Sequence, residues 1–131
     1  MRQIKNIEKI TDSYPEWCPS DFAFIKAMDW SVGTLVIVFY CQLRAQRYEW
    51  PDTSETFFEV SISFEKTSGL KLDFSGTGLH QVSGFEVLDV SENGWEKINF
   101  RIEDHENESI GFNCEDVVIN SVSKPILLVP E

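Results

Sequence analysis

Beyond residue 30 the chain alternates apolar and polar residues with a period of two. In Phe57–Glu65, Phe58, Val60, Ile62 and Phe64 fall on one side and Glu59, Ser61, Ser63 and Glu65 on the other, the pattern of a half-buried strand. After Lys66-Thr67-Ser68-Gly69, Leu70, Leu72 and Phe74 resume the alternation, so the two runs predict a hairpin with a four-residue connection. Val32–Leu43 is different: its TLVIVFY stretch is nearly continuously apolar and rich in β-branched and aromatic residues, which predicts a central strand covered on both faces. Phe85, Val87 and Val90, with Glu86 and Asp89, predict a shorter strand bulged near Leu88, followed by a turn at Ser91-Glu92-Asn93-Gly94.

From Trp95, Ile98, Phe100 and Ile102 face in while Lys97, Asn99, Arg101 and Glu103 face out. Ile110, Phe112 and Cys114 form the next alternating run, continued by Val117 and Ile119. The intervening RIEDHENESI, residues 101–110, predicts a hairpin tip at Asp104–Asn107, because Asp and Asn bond their own backbone and tolerate turn dihedrals. The N-terminal third is less regular. DFAFIKAMDW, residues 21–30, fits either a short helix with Ser20 as N-cap or a strand carrying Phe22 and Phe24. Residues 44–55 read as a polar loop broken by Pro51, and Pro125–Pro130 as an edge strand. Together these predict one β-rich domain over residues 1–131: an antiparallel β-sandwich or strongly curved sheet with at most one short N-terminal helix.

The composition makes this assembly self-sufficient. A chain of 131 residues, 42% hydrophobic, can bury a core without disulfides or metal. Its three cysteines show no CxxC spacing, and Cys41 and Cys114 read as small buried hydrophobes. No run approaches the roughly 18 apolar residues of a spanning helix, and MRQIKNIEKITDSYPEW has no apolar export segment, so a cytoplasmic location is expected.

Candidate chemistry centres on the acidic turn, where His105 stands among Glu103, Asp104, Glu106 and Glu108. His80 is the other histidine, and no HExxH or HxxEH spacing sets two ligands on one face, so neither a metal nor a cofactor is expected. No GxSxG elbow marks a nucleophile, and Gly76-Thr77-Gly78 lacks the helix start a phosphate loop needs, so a non-enzymatic protein is expected. Tyr48 and Trp50 are the candidate exposed rings, able to stack on a sugar.

Charge is the most asymmetric feature. The net charge is −11, which argues against nucleic acid and anionic membranes as partners and leaves a basic protein open. Between Glu86 and Asp116 ten acids face only Lys97 and Arg101, so this third carries −8 of the −11. Glu86, Asp89, Glu92, Glu96, Glu103, Asp104, Glu106 and Glu115 are therefore the candidate partner-binding residues. If they share a face they steer a basic partner; otherwise they only keep the chain soluble.

HQVSGFEVLDVSENGWEKINFRIEDHENESIGFNCEDVVI, with its Gln-hydrophobic-x-Gly-Phe strand, Trp-bearing strand, acidic turn and Phe-x-Cys strand, resembles the C-terminal half of small bacterial immunity-type proteins of polymorphic toxin systems. The likeness spans about residues 55–122. It implies a small acidic protein that binds and neutralises a cognate toxin domain. The alternative is a β-sandwich that holds a carbohydrate or lipid between its sheets or on Tyr48 and Trp50.

Overall fold

The computed structural model describes residues 4–45, 48–74, 79–93 and 98–128. The N-terminal segment holds one short helix, α1 (Glu8–Thr11), and a 3₁₀ turn at Pro19–Asp21. Strands β1 (Phe22–Ser31), β2 (Thr34–Cys41), β3 (Thr56–Glu65), β4 (Ser68–Leu72) and β5 (His80–Gln81) follow. Then come β6 (Phe85–Asp89), β7 (Phe100–Asp104), β8 (Ile110–Cys114), β9 (Asp116–Val122) and β10 (Ile126–Leu127). They form two antiparallel sheets: β3-β2-β1-β5, with β9 and β10 both flanking β3, and β4-β8-β7-β6. One apolar core joins the sheets, giving a β-sandwich. No helix of the described residues is long and apolar enough to cross a membrane.

Residues 21–30 resolve as strand β1, and the register explains why both readings fit. Irregularities between Phe22 and Phe24 and between Ile25 and Ala27 shift the pleat, so Phe22, Ile25 and Met28 reach the core at a spacing of three. Two bulges in a strand thus imitate one face of a helix. A tight turn at Val32 (φ 42°) and Gly33 (φ 81°) leads into β2, whose left-handed pair matches the strand twist. β2 is central as expected, between β1 and β3, but only its inner residues Leu35, Ile37, Phe39 and Cys41 are buried; Val36, Val38 and Tyr40 are half-buried on the outer face.

The expected hairpin across Lys66–Gly69 is instead a corner. β3 belongs to the six-stranded sheet and β4 to the four-stranded one. Lys66 takes a left-handed conformation (φ 55°), and buried Thr67 holds the bend, its hydroxyl donating to Phe64 O at 2.8 Å and its N–H to Gly33 O at 2.7 Å. The chain crosses back at Glu115, between β8 and β9. The two corners are tied together: Glu115 N–H donates to Glu65 O at 2.8 Å, and Glu115 Oε2 lies 3.5 Å from Lys66 Nζ. The expected bulge near Leu88 is also absent, since β6 pairs with β7 in unbroken register. The tail pairs as an edge strand, Ile126 and Leu127 beside Phe57 and Thr56.

Phenylalanines hold the sheets together. Phe22 and Phe39 of the large sheet stack at 4.1 Å, and Phe85 from β6 meets both edge-on at 5.1 and 5.0 Å. Phe64 and Phe112 repeat the edge-on contact at 4.9 Å near the corners. Each such pair contributes about 1 kcal/mol beyond simple burial. The N-terminal segment closes one side through Ile10 and Trp17, both buried, and Tyr14, stacked on Phe58 at 4.0 Å. Lys5 bridges in parallel to Val118 and so covers the outer edge of β9.

The cysteines give a direct check. Burial pushes the Cys114 thiol up to about 12, helped by nearby Asp116 and Glu65, and pushes Cys41 up as well; Cys18 is exposed. The native protein should react with one equivalent of iodoacetamide at pH 8, and the guanidinium-unfolded protein with three. Because the folded thiols hold their protons above the ordinary value of 9.0, stability should fall as pH rises from about 9 toward 12, and Cys114→Ala should flatten that fall in urea titrations.

Candidate functional site

The acidic third folds into β6, β7 and β8, and pleating sorts its charges. Phe85, Val87, Phe100 and Ile102 point toward the large sheet, so Glu86, Leu88, Arg101 and Glu103 form the outer surface. Glu86 and Glu103 stand directly opposite each other across the β6–β7 pair, as do Leu88 and Arg101. Two side chains adjoin the carboxylates: the Arg101 guanidinium, with Nε 3.4 Å from Glu103 Oε1, and the His105 imidazole, with Nδ1 3.6 Å from Glu86 Oε1.

Arg101 stands opposite Asn113 of β8, and its guanidinium reaches along the outer face over Gly111, the partner of Glu103. A Cβ there would sit 2.8 Å from Arg101 Nη2, so glycine makes room for the guanidinium. Beside it opens a groove of 480 Å³ lined by Lys71, Asp73, Arg101, Glu103, His105 and Glu108. Lys71 enters it from β4, directly opposite Gly111. The groove therefore offers counter-ions of both signs on the acidic face.

The other expected residues scatter from this surface. Asp104 shares the inward parity of Phe100 and Ile102 and is fully buried, so it is not a surface contact. Its Oδ1 accepts the N–H groups of Ser109 (2.7 Å) and Ile110 (2.9 Å), and its Oδ2 accepts the Ser109 hydroxyl at 2.5 Å. These bonds clamp the turn that reverses the chain from β7 into β8. Ser109 also contacts His80 Nε2 at 2.8 Å, and His80 stacks on Phe74 at 4.0 Å. With its hydroxyl proton given to Asp104, Ser109 accepts from His80 N–H. The trio ties β5 to the turn.

Asp89 also has inward parity, at the exposed end of β6, where its carboxylate accepts from the Ser91 N–H and hydroxyl at 2.9 and 2.6 Å. Glu106 folds back beneath the hairpin tip to accept from the Ser83 hydroxyl at 2.5 Å. Glu115 is the corner residue facing Lys66. Glu92 is exposed beyond β6, and Glu96 lies outside the described residues. Of the expected cluster, Glu86 and Glu103 alone are brought together on one open sheet face. Sequence reasoning singled out His105 in the acidic turn but not Lys71, Arg101 or Gly111, although the alternation already placed Arg101 facing out with Glu103.

The aromatic candidates separate as well. Tyr48 is fully exposed. Trp50 is half-buried: its ring packs with Ala23, Phe24 and Phe57, its N–H donates to Gln42 O at 2.6 Å, and Arg44 covers it at 4.1 Å. It is a packing residue of the loop and not an open platform. Between the sheets, the space in which a sugar or lipid was considered is occupied by Phe22, Phe39, Phe64, Phe85 and Phe112.

No family model, curated protein or solved structure matches the chain. The Asp104 clamp shapes the rim of the acidic face. Asp104→Ala strands three buried donors and should lower unfolding free energy by about 3 kcal/mol. Asp104→Asn keeps an acceptor for the two backbone N–H groups and should cost less than half as much. Chemical denaturation of the two variants against the parent checks both.

Proposed function

We propose that this protein is a non-enzymatic binder, an immunity-type protein of the cytoplasm that neutralises a cognate basic toxin domain. The outer face of the four-stranded sheet is its docking surface. The observation that carries the reading is the Glu86–Glu103 pair. Like charges directly opposite in a sheet destabilise it by a few tenths of a kcal/mol or more, and these two lie on the solvent side, where the core gains nothing from them. Their use is external: with a net charge of −11 behind them they attract a cationic surface and orient it before short-range contact. The adjoining groove then gives partner side chains of either sign a counter-ion.

Glu106 at the hairpin tip and Glu92 beyond β6 extend the negative rim. Asp89, Asp104 and Glu115 serve turns and corners and are not part of the contact in this proposal. The resemblance of residues 55–122 to immunity-type proteins supports the toxin as partner, and the filled core disfavours a lipid or sugar held between the sheets.

The reading is tested at the gene's own locus. The reading frame beside it should encode a protein whose terminal domain arrests growth when expressed alone and not when co-expressed with this chain. A harmless neighbour, or arrest without relief, contradicts the proposal. With that domain in hand, the double variant Glu86→Lys, Glu103→Lys should slow association by tenfold or more at low salt, the gap narrowing as salt rises.

A further inference from the structure

The free edge of the four-stranded sheet lies next to the acidic pair, and its hydrogen bonds can be assigned strand by strand. Val90 N–H donates to Asn99 O at 2.8 Å and His105 N–H donates to Gly84 O at 2.9 Å. Both pairs obey the register that sets Glu86 against Glu103 and Leu88 against Arg101, so these even-numbered residues of β6 spend their backbone groups on β7. Alternation then turns the N–H and C=O of Phe85 and Val87 the other way, off the sheet. A groove of 350 Å³ follows that edge, walled by Phe85 to Leu88 on one side and Cys18, Pro19 and Ser20 on the other.

Two other edges are guarded. β9 is covered by Lys5, while β4 carries a register shift, Gly69 and an outward lysine, Lys71. Within β6 there is no bulge, proline, glycine or lysine to stop it recruiting another strand; the inward Asp89 lies at its far end, and the Pro19–Asp21 turn packs alongside it and forms the opposite wall of the groove. It presents two half-buried or exposed apolar side chains, Val87 and Leu88, flanked by Glu86.

We infer that β6 recruits an extended segment of the partner as an added antiparallel strand, one that alternates basic residues toward Glu86 with apolar residues toward Val87. This rests on the docking surface proposed above and says how the partner is held there. Charge chooses the occupant. A basic segment neutralises Glu86 and Glu103, whereas a second copy of this chain would bring a further −11 to the same edge. The antiparallel sense matches every pair in the sheet and gives straighter hydrogen bonds than a parallel one.

The probe is a synthetic ten-residue peptide of alternating lysine and valine, in three forms: unmodified, N-methylated at the valines, and N-methylated at the lysines. All three carry the same charge. In the antiparallel arrangement the residues opposite Phe85 and Val87 exchange N–H and C=O groups with them, and these are the inward-facing valines. The valine-methylated peptide should therefore bind at least tenfold more weakly than the other two, read by titration of the backbone amide signals of β6. Val87→Pro, which removes an N–H that β7 does not use, should weaken the unmodified peptide to the same level while leaving the far-ultraviolet circular dichroism unchanged.

Glu86→Lys should weaken all three forms alike. Equal affinity of the two methylated isomers, with Val87→Pro silent, would overturn strand addition yet leave the acidic docking face standing. Loss confined to the lysine-methylated form would overturn the antiparallel assignment, and a salt-stable dimer of the free protein that Val87→Pro dissolves would replace the partner with a second copy.

Discussion

The contact of Phe85 with the Phe22–Phe39 stack is the constraint on which the rest of the surface depends. A strand can be laid against a sandwich in two parities, differing by one residue, and each gives the opposite face to solvent. Seating the Phe85 ring between two rings of the other sheet removes that freedom for β6. Glu86 and Leu88 are then outward, Val87 is inward, and β7 follows in register with Ile102 beneath and Glu103 above. The charge on the face and the direction of the free backbone groups on the edge are consequences of one aromatic contact.

The same logic explains why the acidic third does not act as a single patch. Parity divides it: acids on outward positions become surface charge, and acids on inward positions are drawn into turns. Asp104 shows the second fate most clearly, since a carboxylate at the inward end of a strand is tolerated only with its oxygens satisfied, here by Ser109 and Ile110. Net charge is thus a poor map of where negative potential lies, and strand register is a better one.

Much of this was legible in the chain. Period-two alternation located β3, β7 and β8 and their buried sides, and it implied a mainly β fold, because those signals are local. The inward place of Asp104 could have been read by continuing the count from Phe100 and Ile102. What local alternation does not carry is which sheet a strand joins: Lys66–Gly69 looks like a hairpin connection, yet pairing with β8 far along the chain draws β4 into the other sheet. The two bulges of β1 hid a strand behind a spacing of three, and the place of Gly111 beneath Arg101 depends on a cross-strand approach that sequence distance does not reveal.

Amide hydrogen exchange across β6 in the isolated protein measures the central claim without any partner. If Phe85 fixes the parity as described, the amides of Glu86 and Leu88, bonded to β7, exchange slower than that of Val87 by about two orders of magnitude or more. Equal protection at all three positions, or a Val87 amide slower than its neighbours, would contradict the register and with it both the acidic face and the open edge.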